Sequence, residues 1–190
     1  MLKCTFALQK EEFTLSDRKE QPTDTTSSIS WSKTTTFPTF ATGSWDSHVR
    51  IYRVDLEKKS LAQAVSFDAK VPCLGVDWHE DATQVFTGCT SGEVKGFALH
   101  RNQGFEIGSH EGIVKDVYWL KATNILCSVS LDRTVRFWDL RERGPVYQFE
   151  LKYEPLYSDL YEHKLALALS ENKVTLVDLA EGLKTKDSQE

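Results

Sequence analysis

Short runs of alternating apolar and polar residues, each cut by a tight polar turn, follow one another along the chain, and no stretch sustains a helical period. Four runs share one pattern: a strand of small residues, a polar turn, then a strand ending on a large apolar residue. They read ATGSWDSHVRIYRV from Ala41, FTGCTSGEVKGFAL from Phe86, CSVSLDRTVRFWDL from Cys127 and LALSENKVTLVDL from Leu167. Aligned on the valine after each turn (Val49, Val94, Val135, Val174), they stand 45, 41 and 39 residues apart. Opening strands precede them: SSISW from Ser27, VPCLGVDW from Val71, GIVKDVYWL from Gly112 and LYSDLY after Pro155. Outer strands LAQAVSF, GFEIG and PVYQFEL lie between the units. The chain therefore predicts an all-β array of four antiparallel sheets.

Within the opening strands, Val71, Cys73, Val76 and Trp78 are candidates for burial. Strict alternation in the third unit sets Val114, Asp116 and Tyr118 against Lys115, Val117 and Trp119. Residues 1–26 read as an N-terminal strand, Cys4 to Leu15, followed by a polar linker; 27–179 hold the repeats, and 180–190 form a polar tail.

Composition narrows the function classes. With 190 residues, 40% hydrophobic and 11% aromatic, the chain can bury a sizeable core, and its charge of −5 argues against wholesale nucleic-acid wrapping. The longest apolar runs, such as Leu165 to Leu169, are strand-sized, and no membrane association is expected. The four cysteines, Cys4, Cys73, Cys89 and Cys127, form no C-x-x-C pair and no metal-like spacing, so neither metal nor cofactor is expected. Free cysteines in strands suit a reducing nuclear or cytosolic compartment.

The third unit concentrates the polar chemistry. His110 precedes its opening strand, Ser128 and Ser130 lie on its second, Asp132 occupies the turn and Trp138 ends its third. Serine, histidine and aspartate also make nucleophilic triads, but no strained G-x-S-x-G elbow accompanies them. A hydrogen-bonded structural tetrad is the expectation, since buried polar groups must be satisfied together. The other units lack the full set, so apolar packing should hold them. Arg50, Lys95 and Arg136 repeat at one strand position; stems packed between units, with heads at the rim, explain them better than a phosphate-binding stripe.

The spacing and the third unit's His, Ser, Asp and Trp-Asp resemble WD-repeat propeller blades. SWDSHVRIYRV, VDWHEDATQVFTG, IGSHEGIVKDVYWLK, LDRTVRFWDLR and the divergent LYSDLYEHKLALALSENKVTLVDL resemble the mRNA export factor family of the nuclear pore, from about Glu12 to Leu179. The spindle-checkpoint propeller is its sister. One departure stands out: the family repeats Ser-Trp-Asp in its third blade, where this chain has Ser130-Leu131-Asp132. The resemblance implies a WD-repeat β-propeller, with four blades here of a seven-bladed ring, and an N-terminal strand (EEFTL) that closes the ring on the last blade.

It further implies a non-enzymatic scaffold, in the nucleus, at the nuclear envelope and in the cytoplasm, that docks a nucleoporin or another protein's short linear motif and supports mRNA export. Kinase docking at kinetochores in the mitotic checkpoint is the alternative. Turn residues Trp45, Asp46, His48, Leu131 and Arg133, with loop residues Lys70 and Glu111, should lie on the top face and meet the partner. Trp45 packed into the blade rim is the competing reading. RNA is a second partner class: Trp45 could stack a base while Arg133 or Lys70 meets phosphate, though the charge disfavours it. Four blades should leave an apolar face open at each end, with Leu165, Leu167, Val174 and Leu176 as candidates on the fourth. The N-terminal strand near Phe13 should lack its partner, and the chain should need missing blades from elsewhere.

Overall fold

The computed structural model describes residues 14–15, 21–33 and 37–180. The expected strand from Cys4 to Phe13, the linker from Ser16 to Glu20 and the tail from Glu181 lie outside the described residues.

Four sheets follow in chain order. The first contains β1 (Thr14–Leu15), β2 (Thr26–Trp31), β3 (Thr39–Ser44), β4 (His48–Asp55) and β5 (Ser60–Asp68). The second contains β6 (Cys73–Trp78), β7 (Gln84–Cys89), β8 (Glu93–Ala98) and β9 (Gln103–Ser109). The third contains β10 (Val114–Leu120), β11 (Ile125–Ser130), β12 (Thr134–Trp138) and β13 (Tyr147–Glu150). The fourth contains β14 (Pro155–Tyr161), β15 (Lys164–Leu169) and β16 (Lys173–Asp178). A short 3-10 turn at Leu99–Arg101 is the one helical element among the described residues, and no described helix is long and apolar enough to cross a membrane.

Apart from β1, which pairs parallel to β5, each sheet is an antiparallel meander in sequence order. The inner strands β2, β6, β10 and β14 lie side by side and run the same way. Trp78 Nε1 donates to the Ser30 carbonyl at 3.0 Å, and the Ser30 hydroxyl donates to Asp77 at 3.1 Å. Asp77 in turn accepts the Trp119 amide at 2.8 Å, and the Ser158 hydroxyl donates to Asp116 at 2.6 Å. Each such bond satisfies a polar group inside a seam. Successive sheets thus stand as blades of a partial β-propeller.

Three apolar clusters fill the seams. Val49, Ile51 and Phe67 of the first blade meet Val76, Trp78, Val85 and Phe97 of the second. Phe86 and Val94 meet Val117, Trp119 and Leu126, with Phe86 stacked on Trp119 at 5.3 Å. Val129, Val135 and Phe137 meet Leu165 and Leu167. Full burial of each such side chain contributes about 1.5–3 kcal/mol.

Strict alternation fails in the third opening strand: Val114, Val117 and Trp119 are buried together. The cause is a β-bulge between Val114 and Asp116, which swings the following residues to the other face. Bulges stand at the same place in every inner strand, at Thr26/Ser28, Cys73/Val76 and Pro155/Tyr157. Cys73, Val76 and Trp78 are buried as expected, and Val71 is half-buried.

The end blades need two corrections. Leu165 and Leu167 are fully buried because they face the third blade. Val174 and Leu176 are on the open face. Val49, Val94 and Val135 are 0% exposed beneath the next blade, whereas Val174, at the same repeat position, is 80% exposed. Tyr157 and Tyr161 join it, and Ile29 and Trp31 are exposed on the first blade. The described end of the N-terminal strand also has a partner: Thr14 and Leu15 pair with Ser60 and Leu61 of β5. An outer strand's free amides and carbonyls make such an edge a ready template.

Candidate docking face

The turns β3–β4, β7–β8 and β11–β12 and the connections β5–β6 and β9–β10 meet at one end of the blades. Ala69 donates its amide to the Ser47 carbonyl at 2.8 Å, His110 to Gly92 at 2.8 Å and Leu131 to Ile113 at 2.9 Å. The turns share a left-handed third residue: Ser47 (φ 68°), Gly92 (φ 94°) and Arg133 (φ 66°). Glycine takes this conformation freely, while serine and arginine hold it at a cost.

The third-blade turn is braced by a buried hydrogen-bond chain. Trp138 Nε1 donates to Ser128 Oγ at 2.8 Å, and Ser128 Oγ lies 2.7 Å from His110 Nε2. His110 Nδ1 stands 3.0 Å from Asp132 Oδ2 and 2.9 Å from Thr134 Oγ1. The chain closes with an Nδ1–H tautomer donating to Asp132, leaving Nε2 to accept the serine proton. Burial holds the His110 pKa below the ordinary 6.5, although Asp132 pulls it up, so the imidazole is neutral at pH 7. Burial opposes ionisation of Asp132 too, but the Thr134 hydroxyl and amide, His110 and the Glu111 amide outweigh it and lower that pKa.

Two details depart from the sequence expectation. Ser130 is not a link in this chain: its hydroxyl donates to the Gly112 carbonyl at 3.1 Å and accepts the Asp132 amide at 3.1 Å, because its strand position points it at the opposing loop. Thr134 was missed, yet its hydroxyl donates to Asp132 Oδ1 at 2.7 Å. The Asp-x-Thr spacing of an Asx turn was the available signal. Gly112 makes the close approach possible, since a Cβ there would sit 2.9 Å from the Asp132 amide nitrogen.

The first blade uses an ion pair instead. Arg50 donates to both oxygens of Asp46, at 2.9 and 2.7 Å, and the two side chains are 8% and 6% exposed. Thr23 donates its amide to Asp46 at 2.9 Å. Burial would raise the Asp46 pKa, but Arg50 and the Thr23 amide hold it well below the carboxylate range. Asp46, grouped with the docking residues from sequence, is therefore withdrawn behind the turn that it braces. Apolar packing alone does not hold this blade. Nor does the Arg50 head reach the rim. Lys95 Nζ donates to the Ala69 carbonyl and Arg136 to the Ser109 carbonyl, both at 2.7 Å, so each head serves a blade connection.

The remaining expected residues surround these braces. Trp45 is 46% exposed at its turn, not packed into the rim. His48 is half-buried, with Nδ1 2.8 Å from the Asp46 carbonyl. Lys70 is exposed, in left-handed backbone (φ 68°), and donates to Asp68 at 2.6 Å. Glu111 and Arg133 are exposed, and Leu131 is half-buried beside them in sequence. The arrangement offers an exposed aromatic and an apolar side chain among charges of both signs, on turns fixed from below.

The WD domain, G-beta repeat family matches residues 15–53 and 102–139. The second match takes in β9 with β10 to β12, so the sequence repeat begins one strand before the blade does. The Poly(A)+ RNA export protein of Schizosaccharomyces pombe is 29% identical over 168 residues, 87% of this chain and 47% of that protein. The mRNA export factor rae-1 of Caenorhabditis elegans is 28% identical over 85% of this chain and 44% of its own length. Protein Rae1 of Drosophila melanogaster is 28% identical over 82% and 45%. The chain spans less than half the length of these relatives. The chain is an all-β partial propeller with two segments that match the WD-repeat family, and along most of its length it is similar to mRNA export factors.

Proposed function

We propose that this chain is a non-enzymatic scaffold whose docking face takes a short linear segment of a nucleoporin, in support of mRNA export from the nucleus at the pore. The observation that carries the reading is Trp45, 46% exposed on a turn locked from beneath by the Arg50–Asp46 pair. A rigid aromatic at a fixed turn loses little conformational freedom when a partner covers it. Leu131 supplies a second apolar contact, and Lys70, Glu111, Arg133 and His48 set polar register. The export names of the relatives favour this reading over checkpoint kinase docking.

Fluorescence anisotropy with short synthetic peptides spanning nucleoporin linear segments tests it. Saturable binding by the full chain, lost in Trp45→Ala without loss of folding, supports the proposal; equal binding by that variant contradicts it. RNA is measured in parallel at two salt concentrations. Tight RNA binding that collapses as salt rises would replace the peptide reading with phosphate recognition.

A further inference from the structure

Each blade has one rung just above its inner-strand bulge where the first two strands face each other: Thr26 with Ser44, Cys73 with Cys89, Val114 with Ser130, and Pro155 with Leu169. In every blade the residue after the second partner donates its amide to the carbonyl before the first. For the cysteine rung this bond runs from Thr90 to Pro72 at 3.0 Å. That pattern marks a non-hydrogen-bonded antiparallel pair, the closer of the two kinds, with Cα atoms about 4.5 Å apart. Disulfides span Cα separations of about 4.4–6.8 Å. Only the second blade puts two thiols on this rung, and both are free and fully buried.

We propose that Cys73 and Cys89 are a redox-closable pair, forming a cross-strand disulfide that pins the start of β6 to the end of β7. The oxidant is a low-molecular-weight disulfide of the glutathione class. One cysteine thiolate attacks a sulfur of that disulfide and expels one small thiol, leaving a mixed disulfide on the protein. The second cysteine, losing its proton, attacks the protein sulfur and expels the second small thiol. Two protein thiols are oxidised by two electrons, and one small disulfide is reduced to two thiols.

The local chemistry assigns the order. The Cys73 thiol donates to the Val71 carbonyl at 3.6 Å. Its contact with Cys89 holds Cys73 below the usual thiol range, with Lys95 adding to the effect, whereas the same contact and burial push Cys89 up. Cys73 is the attacking thiolate and Cys89 the resolving thiol. Access comes through the segment Lys70 to Pro72, whose Val71 is half-buried and whose Lys70 is exposed. Attack therefore waits on local opening of this connection. Closure would fasten the loop that carries Lys70.

The test uses the folded 190-residue chain in buffers of graded glutathione to glutathione disulfide ratio, quenched by alkylation and read by peptide mass spectrometry. Under disulfide excess the peptides holding Cys73 and Cys89 should appear joined, lighter by about two mass units than the two free thiols and resistant to alkylation. Dithiothreitol should restore both thiols. Cys127, buried in the third blade, should stay a free thiol throughout and serves as the internal control. Cys89→Ser should trap a glutathione adduct on Cys73. Recovery of Cys73 and Cys89 as unlinked thiols under full disulfide excess would overturn the proposal, as would their appearance in bonds between chains. The wild-type measurement decides the matter even if the variant does not fold.

Discussion

Ser128→Ala removes one hydroxyl from the centre of the third blade. The side chain has no exposed surface, and its oxygen accepts the Trp138 indole N–H at 2.8 Å while lying 2.7 Å from His110 Nε2. Alanine fits the space but leaves two buried polar groups without partners. An unsatisfied buried group costs about 1–3 kcal/mol, so the pair costs about 2–5 kcal/mol once the volume change is included. A domain of this size has about 5–15 kcal/mol of total stability, so at the middle of both ranges the urea midpoint should fall by about a third with an unchanged slope. Trp138→Phe removes the donor on one side of the same link. In a double-mutant cycle, the pair should destabilise by clearly less than the sum of the single changes. A Ser128→Ala chain within about 0.5 kcal/mol of wild type would refute the reasoning and mean that the chain His110–Ser128–Trp138 is not formed.

Other outcomes follow from the same geometry. Arg50→Met should cost about 3–5 kcal/mol by leaving the buried Asp46 carboxylate unpaired, measured by thermal melting. Because the folded pKa of His110 lies below its unfolded 6.5, the stability it contributes is complete above pH 6.5 and is lost as pH falls through the folded value. His110→Gln should flatten that limb of a stability-versus-pH curve. Asp46 and Asp132, both depressed, contribute stability present above the unfolded carboxylate range, and it should be lost only at more acid pH. Val174, Leu176, Tyr157 and Tyr161 stand exposed on the fourth blade, so the purified 190-residue chain should self-associate or aggregate in sedimentation velocity at micromolar concentration. A cooperatively melting monomer would show that those faces are covered.

Repetition made the blades legible. The recurring valines mark the position that each next blade covers, and Trp138, His110 and Asp132 name the blade that carries a full polar set. The bulges were hidden, because one extra residue in a strand leaves no compositional trace yet moves Val117 and Trp119 to the buried face. The Asp46–Arg50 pair was hidden for a different reason. An aspartate four residues before an arginine reads as two surface charges until Thr23, 23 positions earlier, folds over it. The pairing of β1 beside β5 depends on a register between distant segments that no local pattern encodes.

Hydrogen exchange of the full chain, with and without a bound nucleoporin peptide, tests the docking face most directly. Slowed exchange is expected at the turns around Trp45 to His48 and Leu131 to Arg133, and at the connections around Lys70 and Glu111. Protection confined to the opposite end of the blades, at Lys121 to Asn124 and Glu162 to His163, would contradict it.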